Sequence, residues 1–222
     1  MTQVQVLLIL IPAAYLIGSV PFGLIVGLAK GVDPRKAGSG NIGATNVGRL
    51  LGRKFFFIVF TLDLLKGAVP TLAAGAILNF TVDNRFDCLL WVLVAFGALF
   101  GHMASIFLKF KGGKGVATSA GVLLGIFPYF TLPGLVAVAV WGAVFAAMRY
   151  ISAASIVGAA SFPLLYILLG IVRHWPLLDA QLPFLIFSLL VPALIIFKHR
   201  ANITRLRAGT ELRAGGAGQK SI

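Results

Sequence analysis

The sequence predicts an all-α, polytopic membrane protein, and three observations carry that prediction. Of 222 residues, 59% are hydrophobic and only 11% charged, and the mean hydropathy is +0.99, far from the average of water-soluble domains. The apolar residues fall in long runs separated by clusters of Lys and Arg. The basic excess, 19 Lys+Arg against 6 Asp+Glu, collects in those breaks, as expected of cytoplasmic loops. In a soluble chain a net charge of +13 would suggest nucleic acid, but too little polar chain is present here to build a domain for it, so no nucleic-acid partner is expected. The single cysteine, Cys88, excludes an internal disulfide framework and a thiolate metal cluster.

A hydrocarbon core about 30 Å thick needs roughly 20 apolar residues as a helix. Spans are expected at residues 4–29, 55–80, 89–108, 116–130, 131–148, 152–172 and 182–197. The first has no Lys or Arg before it and Lys30 behind it, the reverse of a signal peptide, so it stays in the mature chain. The second carries Asp63 and Lys66 at i,i+3, on one helix face, where two readings stand: a buried structural ion pair, or intramembrane charges that orient the pocket. The third holds His102 as a helix-contact residue.

The stretch 116–148 is long for one helix and short for two, with Pro128 and Pro133 near its middle. Charge parity decides it. Residues 30–54 and the tail after Phe197 each carry six basic side chains, and both belong in the cytoplasm, so an even number of crossings separates them. The stretch is therefore a tight hairpin of two short helices turning at Pro128 to Pro133. Seven transmembrane helices result, amino terminus outside and carboxy terminus cytoplasmic. Residues 1–213 form a single domain and residues 214–222 a Gly-rich flexible tail.

Polar groups are costly in a membrane and so carry information. This topology brings four groups of them to the cytoplasmic face. Residues 38–49, GSGNIGATNVGR, combine glycines that free backbone N–H groups with the side chains of Ser39, Asn41, Thr45, Asn46 and Arg49, a segment able to wrap an anion. Residues 111–118, KGGKGVAT, place Gly112, Gly113 and Lys114 just before a helix N-terminus. Gly115 follows Lys114 where a P-loop needs Ser or Thr, so nucleotide binding is not supported. Residues 149–155 add Arg149, Ser152 and Ser155, and residues 198–211, KHRANITRLRAGTE, follow the last span. Many donors with almost no acids complement a phosphorylated substrate and are unlike a metal site, so neither metal nor cofactor is expected. Asp33 and Glu211 read as surface or capping groups.

At these residues the chain resembles the bacterial acyl-phosphate glycerol-3-phosphate acyltransferases, the PlsY family. The resemblance rests on GSVPFG (18–23), GSGNIGATN (38–46), LDLLKG (62–67), FKGGKGVAT (110–118) and the tail motif. It implies a seven-helix enzyme of the bacterial inner membrane, with its site at the cytoplasmic face. The implied reaction moves a fatty acyl group from acyl phosphate to the 1-hydroxyl of sn-glycerol 3-phosphate, giving lysophosphatidic acid and inorganic phosphate in phospholipid synthesis. Ser105 departs from the family pattern, which has proline there, and implies a straighter third helix.

Carried over residue by residue, the resemblance implies that Ser39, Thr45, Arg49, Lys114, Ser152, His199 and Asn202 form a phosphate pocket. The catalytic set is then Ser39, His199 and Asn202, and the substrate-binding set Gly40, Asn41, Thr45, Asn46, Arg49, Gly112, Gly113, Lys114, Ser152 and Arg205. Acyl phosphate, glycerol 3-phosphate and membrane lipid are the expected partners. An acyl phosphate is already activated, so no nucleophilic Ser or Cys is required, and a substrate phosphate oxygen can take the hydroxyl proton with His199 assisting. Composition alone leaves acyl-CoA open as the donor. A transporter for a phosphorylated metabolite is disfavoured, because its site belongs near the midplane of symmetric halves. A lipid-binding scaffold explains the charges but not the ordered motifs. His174 and Asp179 match a loose HxxxxD pattern, but Pro176 interrupts the pair and charge parity puts the loop outside.

Overall fold

The computed structural model describes residues 1–214, so all of the expected flexible tail except Ala214 lies outside the described residues. The described residues form helices and turns, with no strand. The helices are α1 (Gln3–Ser19), α2 (Phe22–Leu28), α3 (Ala44–Leu51), α4 (Arg53–Ile77), α5 (Arg85–Met103), α6 (Val116–Gly125), α7 (Thr131–Met148), α8 (Ile151–Val172), α9 (Leu182–Lys198) and α10 (Arg200–Arg207).

The bundle is inverted relative to a soluble protein. On α8, Leu164, Leu168, Ile171 and Val172 recur at helical spacing on the outer surface, while Gly158, Phe162 and Tyr166 are buried on the other face. Asp63, Lys66, His102, His199 and Asn202 are buried as well. Such an apolar exterior suits lipid. Five segments are long and apolar enough to cross a membrane, namely Gln3–Leu28, Arg53–Ile77, Arg85–Leu108, Thr131–Met148 and Ile151–Val172. A sixth, α9 with α10, is bent by 57° at their junction.

The expected hairpin of two short helices is present, but α6 is shorter than the span expected at 116–130. Its ten residues rise only about 15 Å, half a hydrocarbon core. The helix stops at Gly125 and α7 starts at Thr131, so the turn is residues 126–130 rather than Pro128 to Pro133, and Pro133 sits in the first turn of α7. The short helix and its turn still run the length of the bundle. Lys114 at one end meets Asn202, and at the other end Phe127 and Tyr129 pack on Phe80 and Trp175. The amino terminus shares that second end, where Gln3 Nε2 donates to Ile77 O at 3.0 Å.

The third segment is not one continuous α-helix. Helix α5 ends at Met103 and a 3-10 turn occupies Ile106–Leu108. Ser105 Oγ donates to Ser19 O at 2.6 Å, tying the break after α5 to the end of α1. Helix α5 is central, packed on α1, α4, α6 and α9. Gly18 and Gly101 allow the backbones of α1 and α5 to touch, and a Cβ at either would collide with a carbonyl across the interface. Helix α7 leans chiefly on α8, which leaves space between α6 and the α7–α8 pair.

Candidate active site

That space opens at the end of the bundle holding Lys114 as a cavity of about 1020 Å³. It has two chemically different parts. Apolar walls come from Val116, Leu123, Ala137, Trp141, Ala159, Phe162, Phe187 and Val191, on four helices. The mouth is polar and brings together nine of the thirteen expected site residues: Ser39, Asn41, Thr45, Asn46, Arg49, Lys114, Ser152, His199 and Asn202. All four sequence motifs are represented, so segments more than 150 residues apart meet at one place.

Three helices begin at this mouth. The N-caps of α3, α6 and α8 are Gly43, Gly115 and Tyr150, and none makes a side-chain capping bond. First-turn residues of all three helices line the cavity, among them Thr45, Ala117 and Ser152. Uncapped N-termini carry free N–H groups and the positive end of the helix dipole, so their convergence favours an anion.

A hydrogen-bonded chain organises the side chains. Lys114 Nζ donates to Asn202 Oδ1, and Asn202 Nδ2 donates to Glu211 Oε1 at 2.6 Å. The same oxygen accepts from Ser152 Oγ at 2.7 Å, and Arg205 Nε donates to Glu211 Oε2 at 2.7 Å. Glu211 is buried and lines the cavity, which corrects the reading of it as a surface or capping group. Burial would raise its carboxyl, but hydrogen bonds from Asn202, Ser152 and Arg205 outweigh this and hold it below the usual carboxylate range. Lys114 is pushed down to about 8, chiefly by burial, with Glu211 opposing the shift and Arg205 and Arg49 adding to it. Burial lowers Arg49 as well, though its guanidinium stays charged. At His199, Nδ1 lies 2.8 Å from Ile195 O. A carbonyl only accepts, so Nδ1 carries the hydrogen and Nε2 keeps its lone pair for a ligand.

Four expected residues fall outside the lining set formed by the described residues: Gly40, Gly112, Gly113 and Arg205. Arg205 reaches the site through Glu211. Gly40 makes a turn with φ +71°, its N–H donating to Ala37 O. Gly112 and Gly113 lie against the end of α5, where a Cβ on Gly113 would collide with the His102 ring. Both pack the Lys114 loop closely, and the Gly113 N–H is committed to His102 O at 3.0 Å. Asn46 lines the cavity, but its amide is committed to the 34–46 loop. Its Nδ2 reaches Pro34 O, Ala37 O and Asn41 O, and its Oδ1 accepts from Ser39 N. Asn46 therefore shapes the loop that presents Ser39 and Thr45. Asp63 and His102 also reach the wall, and the expected ion pair forms, Lys66 Nζ to Asp63 Oδ1 at 2.8 Å. The sequence shows Glu211 only as an isolated acid closing the basic tail motif, with no sign of its partners. Among the described residues no three His, Cys, Asp or Glu side chains cluster as a metal site would.

The chain matches the model of the family described as Glycerol-3-phosphate acyltransferase over residues 8–209. It is 46% identical to the glycerol-3-phosphate acyltransferase of Geobacter sulfurreducens, over 93% of this chain and 96% of that relative. It is 42% identical to that of Aquifex aeolicus, over 93% and 98%. It also resembles the crystal structure of PlsY (YgiH), an integral membrane glycerol 3-phosphate acyltransferase, in its glycerol 3-phosphate form. There the TM-score is 0.80 at 40% identity, covering 94% of this chain and 96% of that one. The lysophosphatidic acid form of the same protein matches with a TM-score of 0.78. With sequence, length and helical architecture in agreement, the chain belongs to the glycerol-3-phosphate acyltransferase, or PlsY, family of integral membrane proteins.

Proposed function

We propose that this protein transfers a fatty acyl group from an acyl phosphate to the 1-hydroxyl of sn-glycerol 3-phosphate, releasing lysophosphatidic acid and inorganic phosphate. The observation that carries the reading is the two-part cavity. One end holds three uncapped helix N-termini with Lys114 and Arg49, and the other is an apolar recess among α6, α7, α8 and α9. A soluble phosphorylated metabolite uses only the first part, whereas an acyl phosphate and its lipid product use both. The crystal forms of the related PlsY, with glycerol 3-phosphate and with lysophosphatidic acid, support the acceptor and product.

In this reading the glycerol oxygen adds to the acyl carbonyl carbon, and the bond from that carbon to the phosphate oxygen breaks. Phosphate leaves with the bonding electron pair. The hydroxyl proton passes to a substrate phosphate oxygen, with His199 Nε2 orienting the acceptor. Lys114, Arg49 and the helix N-termini neutralise the phosphates, while the Ser39 hydroxyl, for which no intramolecular hydrogen bond is formed among the described residues, donates to the developing oxyanion. No covalent enzyme intermediate, cofactor or metal is invoked. Seven crossings, with the amino terminus outside and the cavity mouth at the cytoplasmic face of the bacterial inner membrane, complete the proposal. Sixteen of nineteen basic residues then lie in the cytoplasm.

Purified protein in detergent, given palmitoyl phosphate and glycerol 3-phosphate, should release phosphate and lysophosphatidic acid in equal amounts, with EDTA present. Palmitoyl-CoA should not replace the acyl phosphate. Product formed from the thioester alone, or only with a divalent ion, would overturn the donor assignment or the metal-free chemistry respectively.

A further inference from the structure

Asp63 and His102 reach the cavity wall yet take no part in the transfer chemistry above. Asp63 Oδ1 is 2.8 Å from Lys66 Nζ and 3.5 Å from His102 Nδ1. An Asp–His pair beside a cavity suggests a general base, but at 3.5 Å Nδ1 makes no hydrogen bond to Asp63, and the other ring nitrogen faces the Lys114 loop. His102 Nε2 lies so close to Gly113 that a Cβ there would strike it. The Nε2 edge of the ring is thus turned to the loop before α6, and its contact with Gly113 is one residue from Lys114.

The backbone strengthens that link. Gly113 N donates to His102 O at 3.0 Å, and a Cβ on Gly112 would collide with the same carbonyl. The next carbonyl along α5, Met103 O, accepts Lys198 Nζ at 2.9 Å, beside His199. On the far side Lys66 Nζ donates to Val20 O at 2.9 Å, at the break between α1 and α2. A continuous set of contacts thus runs from the bundle core through Lys66, Asp63, His102 and Gly113 to Lys114.

We propose that Asp63 and His102 are positioning residues for Lys114, with Asp63 orienting the His102 ring and the ring seating the Gly112–Gly113 turn that aims the lysine into the cavity. This rests on the reading that Lys114 holds a substrate phosphate. A double-mutant cycle tests it, with kcat and KM for glycerol 3-phosphate and the melting midpoint measured on each purified variant. His102→Ala leaves the ion pair intact and should lower kcat/KM about tenfold in the wild-type background, but less than about twofold when Lys114 is already alanine. Asp63→Asn strands Lys66, so Asp63→Asn/Lys66→Met serves in its place. It should melt near wild type and still show the His102→Ala loss, again only where Lys114 is present.

Losses that repeat in full in the Lys114→Ala background would show that the cluster acts elsewhere and overturn the inference. So would wild-type kcat/KM in His102→Ala. If Lys114→Ala itself retains wild-type kinetics, the phosphate-binding reading fails first, so the two failures are distinguishable.

Discussion

The two ends of the bundle solve opposite problems with similar materials. At the end holding the α6–α7 turn, aromatic rings fill the space. Phe130 packs edge-on to Phe162 and Tyr166 at 5.0 and 4.9 Å between centroids, and the polar tips find partners. Trp91 Nε1 donates to Thr71 O at 2.9 Å and Tyr166 Oη to Gln181 Oε1 at 2.8 Å. At the other end three helix N-termini lack side-chain caps, and Lys114, Arg49, Ser39 and His199 surround an open cavity. The aromatic N–H and O–H groups are paired at the first end, whereas uncapped helix N-termini line the cavity at the second. The difference assigns stability to one end and chemistry to the other, and substitutions should divide accordingly.

The largest combined loss, of turnover and of stability, should come from Glu211→Ala. It leaves Arg205 without its carboxylate and Ser152 and Asn202 without their acceptor, and breaking a buried ion pair costs about 3–5 kcal/mol. Arg205 is partly exposed, so solvent softens that cost. A fall of roughly 100-fold in kcat/KM, with a lower melting midpoint, is expected. Lys114→Ala should follow, because a hydrogen bond to a charged group is worth about 1.5–3 kcal/mol, or roughly 10- to 150-fold. Its melting midpoint should hold, since losing a lysine that burial makes unfavourable strands no opposite charge. Unfolding in place of lost turnover would assign Lys114 to structure.

The pH dependence sharpens the contrast. Only protonated Lys114 attracts phosphate, and in the free enzyme it titrates at about 8. The kcat/KM for glycerol 3-phosphate should therefore be flat below that pH and fall up to tenfold per unit above it. Lys114→Arg, charged throughout this range, should lose the alkaline limb while keeping measurable activity. A limb that persists at the same pH in the arginine variant would point to another group. Between the two ends, Ala159→Phe should narrow the apolar recess it lines. Long acyl phosphates should then lose about tenfold in kcat/KM relative to short ones, a difference of roughly one to two methylenes' binding energy. Equal rates across chain lengths would mean that the acyl chain lies elsewhere.

The same contrast bears on what is legible in the sequence. Hydropathy locates the apolar segments well, but it does not register where a helix ends. Residues 126–130 are as apolar as α6 itself, so the loss of helix at Gly125 leaves no trace in the pattern. The motifs identify the mouth, because a membrane protein that gathers donors without acids at one face is built to hold an anion there. Partner choice is not legible. Asn46 and Thr45 are neighbours with similar chemistry, yet Asn46 spends its amide on three carbonyls within its own loop. Glycine is ambiguous in the same way. At Gly113 close packing against His102 takes the role expected of ligand approach, and only the fold supplies that neighbour. Glu211 is hidden because its partners, Ser152, Asn202 and Arg205, come together only after folding.

The smallest effect is expected where the sequence offers its most misleading signal. His174 and Asp179 match an acyltransferase-like HxxxxD pattern, but they lie near Arg173 and Trp175 at the closed end, away from Lys114 and His199. The Asp179 side chain is 88% exposed, paired only at 3.5 Å with Arg85, and Arg85 also reaches the backbone carbonyls of Leu178 and Asp179. Exposed pairs of this kind contribute little, so His174→Ala and Asp179→Ala should keep kcat/KM within about twofold of wild type. His199→Ala should instead fall by about 10²-fold or more if Nε2 moves the proton, and less if it only orients the substrate. Cysteine labelling in a Cys88→Ser background tests the geometry beneath this contrast. Leu178 and Thr210 are both exposed and sit at opposite ends of the bundle. Cysteine at 210 should react with an impermeant reagent only from the cytoplasmic side, and cysteine at 178 only from the outside. Labelling of both from one side would break the seven-crossing topology, and a large loss in His174→Ala would move the chemistry to the end of the molecule here assigned to stability.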